Sequence, residues 1–212
     1  MRHAERVRSL LDPAVLVAPT LLGAVFRAGD VAVRITEVEA YLGPDDPASH
    51  SYRGRTKRNA AMFEAAGVIY CYLSHGIHTA VNVVCGPAGA AQGVLLRAGA
   101  VVDGIEIARE RRNASARLTP LPDWRLARGP GCLGQALGLT VGDSGRRFGD
   151  GIELTPGEEP ARIATGPRVG VSRAADVPWR FWIPGERSVT PYRRSPRAPA
   201  PALPADDEKS SC

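Results

Sequence analysis

Between Val31 and Leu42 the chain's alternation changes sides. Val31, Val33 and Ile35 hold odd positions with Ala32, Arg34 and Thr36 between them, the period of two expected of a strand with one buried face. From Glu37 onward the odd positions carry Glu37, Glu39 and Tyr41, while Val38, Ala40 and Leu42 take the even ones. A one-residue shift exchanges the two faces of a strand. Either a bulge re-registers this one, or its odd face leaves the core and lines a cavity with carboxylates and a phenol. Such local inconsistency is expected at functional sites.

The strand has a partner immediately upstream, because Ala24 to Arg27 and the turn Ala28-Gly29-Asp30 complete a hairpin. Before it, Glu5 to Leu11 and Val15 to Leu22 read as short helices interrupted at Pro13 and Pro19. Gly43 to Asn59 reads as a surface loop. Val68 to Leu73, His78 to Val84 and Val94 to Val101 are strand candidates, with a turn at Gly86 to Gly89. Asp103 and Glu106 suggest a capping box opening a helix that runs to about Arg112. Arg128-Gly-Pro-Gly131 precedes a helical stretch, Cys132 to Leu137, ended by Gly138. Short strands at Ile152 to Leu154, Ala161 to Ala164, Val169 to Val171 and Trp179 to Ile183 complete the set. With no regular βαβ alternation, the expected class is α+β: one domain over residues 4–194, a curved, mostly antiparallel sheet with flanking helices. Residues 195–212, rich in Pro and Ala with an acidic end, read as a disordered tail.

No run approaches the roughly 18 apolar residues of a membrane span, since Ala14 to Phe26 is broken by Pro19 and Gly23. The first residues carry both charge signs and no signal-type core, and Cys71, Cys85, Cys132 and Cys212 are too sparse for a disulfide scaffold. A cytoplasmic protein is expected.

Several clusters could carry chemistry. Glu37, Glu39, Tyr41 and His50 place carboxylates, a phenol and an imidazole close in sequence. Glu39 on a pocket-facing strand is a candidate general base, whereas on an edge strand it would simply face solvent. Tyr70 and Tyr72 share a strand face and, with His75, His78 and Asn82, could wall a slot for a flat ligand, or could be ordinary core aromatics. Arg53, Arg55, Lys57 and Arg58 form a basic loop suited to a phosphate backbone. Arg97 interrupts an apolar strand and calls for a carboxylate, which Glu37 or Glu39 could supply. Cys71, His75, His78 and Cys85 lack the paired short spacings of common zinc sites, so no metal is expected.

The run Glu37-Val-Glu39-Ala-Tyr41-Leu-Gly-Pro-Asp-Asp-Pro-Ala-Ser-His50 and the following Arg58-Asn59 closely resemble the alkyladenine (3-methyladenine) DNA glycosylase family. So do Tyr70-x-Tyr72-x-x-His75-Gly76, Asn82-Val83, Val94-Leu95-Leu96-Arg97-Ala98, Gly129-Pro130-Gly131, Gln135-Ala136-Leu137 and Pro167-Arg168-Val169-Gly170-Val171, in family order over residues 13–193. The resemblance implies a monomeric, cofactor-free and metal-free repair enzyme. Such an enzyme flips alkylated or deaminated purines out of double-stranded DNA and hydrolyses the N-glycosidic bond. By motif position, Glu39 would activate water, and Arg97 and the Val169 carbonyl would hold it. Tyr41, His50 and Tyr72 would enclose the base, with Asn82 at the pocket floor. His75 stands where the family usually has a wedging tyrosine, and Cys132 where a lysine is common. Only Lys57 and Lys209 are lysines, which favours direct displacement by water over Schiff-base chemistry. A catalytically silent damage-binding protein is the alternative.

Overall fold

The computed structural model describes residues 10–74, 76–113 and 120–200. Eight strands are β1 (Val25–Ala28), β2 (Val31–Tyr41), β3 (Ile69–Ser74), β4 (His78–Cys85), β5 (Gln92–Asp103), β6 (Ile152–Thr155), β7 (Ala164–Gly166) and β8 (Arg180–Trp182). Among the described residues three helices, α1 (Ala14–Thr20), α2 (Ile105–Asn113) and α3 (Pro130–Leu137), accompany them. The sheet runs β3-β4-β5-β2-β1-β6 with every pairing antiparallel, and β7 and β8 branch from β2. The fold is a single α+β domain with a curled antiparallel sheet, as the sequence implied.

The parity change in β2 has a double cause. Ile35 faces Gly99 of β5 and Glu37 faces Ala98, so Thr36 is an extra residue in the ladder; one step on, Val38 faces Leu96, so Arg97 is the extra residue of β5. The bulge carries the core face from Val31, Val33 and Ile35 to Val38 and Ala40, all in one apolar cluster, and turns Glu37 and Glu39 to the other side. The bulge therefore holds, and the odd face does leave the core, but of its residues only Tyr41 lines a cavity, Glu37 and Glu39 being fully buried. At the same point the free edge of β2 changes partner, from β1 at Val31 to Arg34 to β8 at Glu37 to Glu39.

Close packing at the bulge depends on Gly99. A Cβ there would stand 2.2 Å from Val33 Cγ1 and 2.5 Å from the Arg34 carbonyl oxygen. Gly99→Ala is expected to lower unfolding free energy by about 1–3 kcal/mol, the usual cost of overpacking, measurable as a lower urea midpoint with unchanged m.

Other expectations shift in detail. The first expected helix, Glu5 to Leu11, falls mostly outside the described residues, and residues 10–12 are a turn and bend leading to Pro13. The capping box expected before α2 is not made by the bonds seen there: Asp103 Oδ1 accepts from the adjacent Gly104 amide, and Glu106 turns forward to Arg109. The strand expected at Ala161 to Ala164 starts instead at Ala164, because β8 sets its register, Ala164 opposite Trp182 and Gly166 opposite Arg180. Val169 and Gly170 form a turn instead of a strand, with Gly170 at φ +72° and its amide bonded to the Arg193 carbonyl. Of the expected tail, residues 195–200 are described and include a turn; the remainder, with Lys209 and Cys212, lies outside the described residues. No described helix is long and apolar enough to cross a membrane.

Candidate active site

Glu37 is fully buried on the polar face of β2. Its Oε1 accepts from Arg97 Nε, Arg180 Nε and Thr190 Oγ1, each at 2.8 Å, and its Oε2 accepts from the Thr190 amide at 2.7 Å. Burial pushes this carboxyl up, but Arg97, the Thr190 amide and Arg180 outweigh burial and hold it below the usual carboxylate range. It is a fixed anion.

Glu39, two residues on, is also fully buried. Its Oε1 receives the Val169 amide at 2.7 Å and Arg97 Nη1 at 3.2 Å; its Oε2 receives the Tyr41 hydroxyl at 2.8 Å. Arg97 thus bridges both carboxylates that the sequence offered it. Burial alone would lower its pKa, but Glu39 and Glu37 raise it, so it stays charged. Two carboxylates against Arg97 and Arg180 leave the cluster neutral overall, the condition under which buried charges are tolerated.

The front of this cluster is a cavity of about 440 Å³ whose walls include Tyr41, His50, Tyr70, Tyr72, Asn82 and Val169. Tyr70 and Tyr72 stack with centroids 5.5 Å apart, and the His50 ring meets Tyr72 edge-on at 4.4 Å. Burial, with Glu39 nearby, keeps both the Tyr41 and Tyr72 phenols protonated, the latter pushed up to about 12. Asn82 Nδ2 donates to the Tyr70 carbonyl at 3.1 Å, which fixes the amide on the wall. Burial and then Arg58 lower the pKa of His50, so its imidazole is neutral at neutral pH.

The loop bearing His50 is more deeply tied down than a surface loop. Asn59 Nδ2 donates to the carbonyls of His50 and Gly54, both at 3.0 Å, and Asn59 Oδ1 accepts from the Thr56 amide at 2.6 Å. Arg53, Arg55, Lys57 and Arg58 all remain exposed, yet they differ. Arg53 lines the pocket and Arg55 pairs with Glu64 at 3.4 Å. Arg58 donates to the Leu73 carbonyl at 3.2 Å and lies over the Tyr72 ring. Lys57 faces a neighbouring cavity with Arg147.

The residue pair that locks the site together was not singled out among the candidate site residues above. Arg168, fully buried, donates to both Asp46 oxygens at 2.5 and 2.9 Å and to the Ala40 carbonyl at 3.0 Å, and its guanidinium lies over Tyr41 and Trp179. This clamp ties the loop before His50 to the turn that presents Val169. An arginine within an apolar stretch was the signal that singled out Arg97; the same signal was present at Arg168 and at Arg180. His75, between β3 and β4 in sequence, lies outside the described residues. Cys132 is the third residue of α3 and half-buried; Cys71 and Cys85 lie in the apolar core, where burial pushes each thiol up to about 12.

Residues 8–187 match the family model described as Methylpurine-DNA glycosylase (MPG). The chain belongs to the methylpurine-DNA glycosylase family. Relatives provisionally named 3-methyladenine DNA glycosylase agree along nearly the whole chain. That of Nocardia farcinica is 54% identical, covering 91% of this chain and 93% of its own. Those of Corynebacterium glutamicum strain R and Mycobacterium leprae strain Br4923 are 50% and 48% identical, over 88% and 91% of this chain and 87% and 90% of theirs. As a methylpurine-DNA glycosylase the protein is a hydrolase of base excision repair that binds DNA, and the cluster of Glu39, Arg97 and the aromatic pocket is its candidate active site.

Proposed function

We propose that this glycosylase acts as a monomer on duplex DNA, extrudes an alkylated or deaminated purine into the aromatic pocket and hydrolyses its N-glycosidic bond with water activated by Glu39. The observation that carries this reading is a buried carboxylate held from three sides, by Val169, Arg97 and Tyr41, at the back of a pocket walled by flat rings. The names of the relatives support 3-methyladenine as one substrate.

In this scheme Glu39 takes a proton from water as the oxygen bonds to the sugar's anomeric carbon, and the departing base keeps the electron pair of the broken bond. Arg97 and the Val169 carbonyl hold the water. A purine alkylated at N3 or N7 carries a positive charge and leaves as a neutral base, so the pocket's task is to attract a flat cation. The faces of Tyr41 and Tyr72 do so through their quadrupoles, and a neutral His50 avoids repelling it. Asn82 at the floor disfavours the amino group of normal guanine. His75 fills the gap left by the flipped nucleotide, and Arg53, Arg55, Lys57 and Arg58 engage backbone phosphates.

Single-turnover release of base from duplexes carrying one 3-methyladenine, hypoxanthine or ethenoadenine tests the reading. Release of at least one lesion base, with none from undamaged duplex, supports it. Tight binding without release of any would favour a silent damage-binding protein. Borohydride is expected to trap no protein–DNA adduct during turnover, and an adduct on Lys57 would replace water by amine chemistry.

His50 gives the reading a pH signature. Its lowered pKa means that the imidazole gains its proton only below the ordinary value of 6.5. Acidifying from about pH 7.5 to about pH 5.5 is therefore expected to weaken binding of a cationic 7-methylguanine duplex more than that of a neutral hypoxanthine duplex. His50→Gln should abolish the difference; parallel loss for both lesions in both proteins would remove His50 from the pocket's electrostatics.

A further inference from the structure

A second cavity of about 440 Å³ opens between Trp124 and the segment Pro184 to Ser188. Trp124 lies in a short 3-10 turn, and three guanidiniums gather on its ring: Arg187 at 4.9 Å, Arg128 at 5.1 Å and Arg125 at 5.6 Å from the centroid. Arg125 and Arg187 are exposed, and their guanidiniums make no hydrogen bond or ion pair among the described residues. Arg128 spends only its Nε, on the Val189 carbonyl at 3.1 Å. The adjacent carboxylates are engaged elsewhere, Asp123 with Arg109 at 2.7 Å and Glu186 with Arg34 at 2.6 Å. Three like charges are thus held around one ring, and no carboxylate of the described chain neutralises them.

We propose that Trp124, Arg125, Arg128 and Arg187 form a second DNA contact, a docking surface for backbone phosphates of the duplex outside the lesion pocket. Stacked guanidiniums keep their edges free, and those edges match phosphate oxygens in a planar fork. With its ring occupied by guanidiniums, Trp124 braces the cations rather than reading a base, so the contact is independent of sequence. Continuity with the active site favours DNA over an acidic protein segment. Arg128 leads directly into Gly129 and α3, where Gly131 packs on His78 of the hairpin that also carries Tyr72. Its bond to Val189 also adjoins Thr190, the residue that holds Glu37.

The test needs no lesion, which separates it from the catalytic reading. An Arg125→Ser/Arg187→Ser variant removes two exposed side chains that stack on one ring, and a thermal melt checks that the fold is retained. Affinity for a short undamaged duplex is measured against salt for wild type, this variant and Arg125→Lys/Arg187→Lys. The slope of log K against log salt is expected to become shallower in the serine variant by about 0.9 for each phosphate that is no longer neutralised, and to be retained in the lysine variant. Single methylphosphonate linkages placed along the duplex should weaken wild type at positions where the serine variant no longer responds. An unchanged slope overturns the proposal, as does unaltered methylphosphonate sensitivity, which would make any slope change a long-range charge effect. Binding of polyglutamate that is lost in the serine variant, with the DNA slope intact, would assign the surface to an acidic partner and overturn it equally.

Discussion

Glu39→Gln is expected to slow single-turnover base release by roughly 10²- to 10⁴-fold, the usual contribution of a positioned general base, while duplex affinity changes only a few-fold. The substitution keeps the side chain's shape. The remaining carbonyl oxygen can still accept from Val169, and the new amide can donate to the Tyr41 oxygen. Arg97 stays ionised because Glu37 holds its Nε at 2.8 Å, so the cluster gains one uncompensated positive charge but does not come apart. The proton acceptor is what disappears. Release at the wild-type rate would show that water is activated elsewhere; equal loss of binding and release would show that Glu39 shapes the pocket instead.

Asp46→Ala should produce the largest loss of stability. It strands the Arg168 guanidinium in a place with no exposure, and removing one partner of such a pair costs about 3–5 kcal/mol. The Ala40 carbonyl, at 3.0 Å, is the one oxygen left to Arg168. Activity should fall further than the folded fraction does, because the clamp positions the turn that brings the Val169 amide to Glu39. An Asp46→Leu/Arg168→Met pair, which removes both charges, is expected to regain much of the stability without the activity. Urea denaturation monitored beside base release distinguishes the two effects. If Asp46→Ala unfolds at the wild-type midpoint, the clamp contributes nothing to the fold.

The elements that local pattern specifies were legible in the chain: the hairpin of β1 and β2, strands β3 to β5, and α3 between Pro130 and the left-handed Gly138. The parity change in β2 located the polar face correctly because burial on a strand leaves a period of two. Less was legible where register is imposed from elsewhere. Nothing near Ala164 says that β7 begins there, since β8 decides it, and Val169 reads as a strand although Gly170 turns the chain. Among site residues, Glu39 and Arg97 were visible as types out of place, and Tyr72 through the strand face it shares with Tyr70. Asp46 looked like one more loop acid, because its burial depends on an arginine 122 positions away. Trp124 gave no signal, since its surroundings come from segments far apart in sequence.

The partner change along the free edge of β2 has a temporal consequence. Glu37 and Glu39 lie on an early hairpin, yet Val169, Arg180 and Thr190, which receive them, all come from the segment that closes over β2 last in sequence. During synthesis the carboxylates and their first partners, Arg97 and Tyr41, exist long before the rest, so a nascent chain lacking that segment has a sheet but only part of its centre. Competence to cut is therefore gained late and in one step, and a nick between β6 and β7 that lets the segment detach would silence the enzyme while most of its sheet remained.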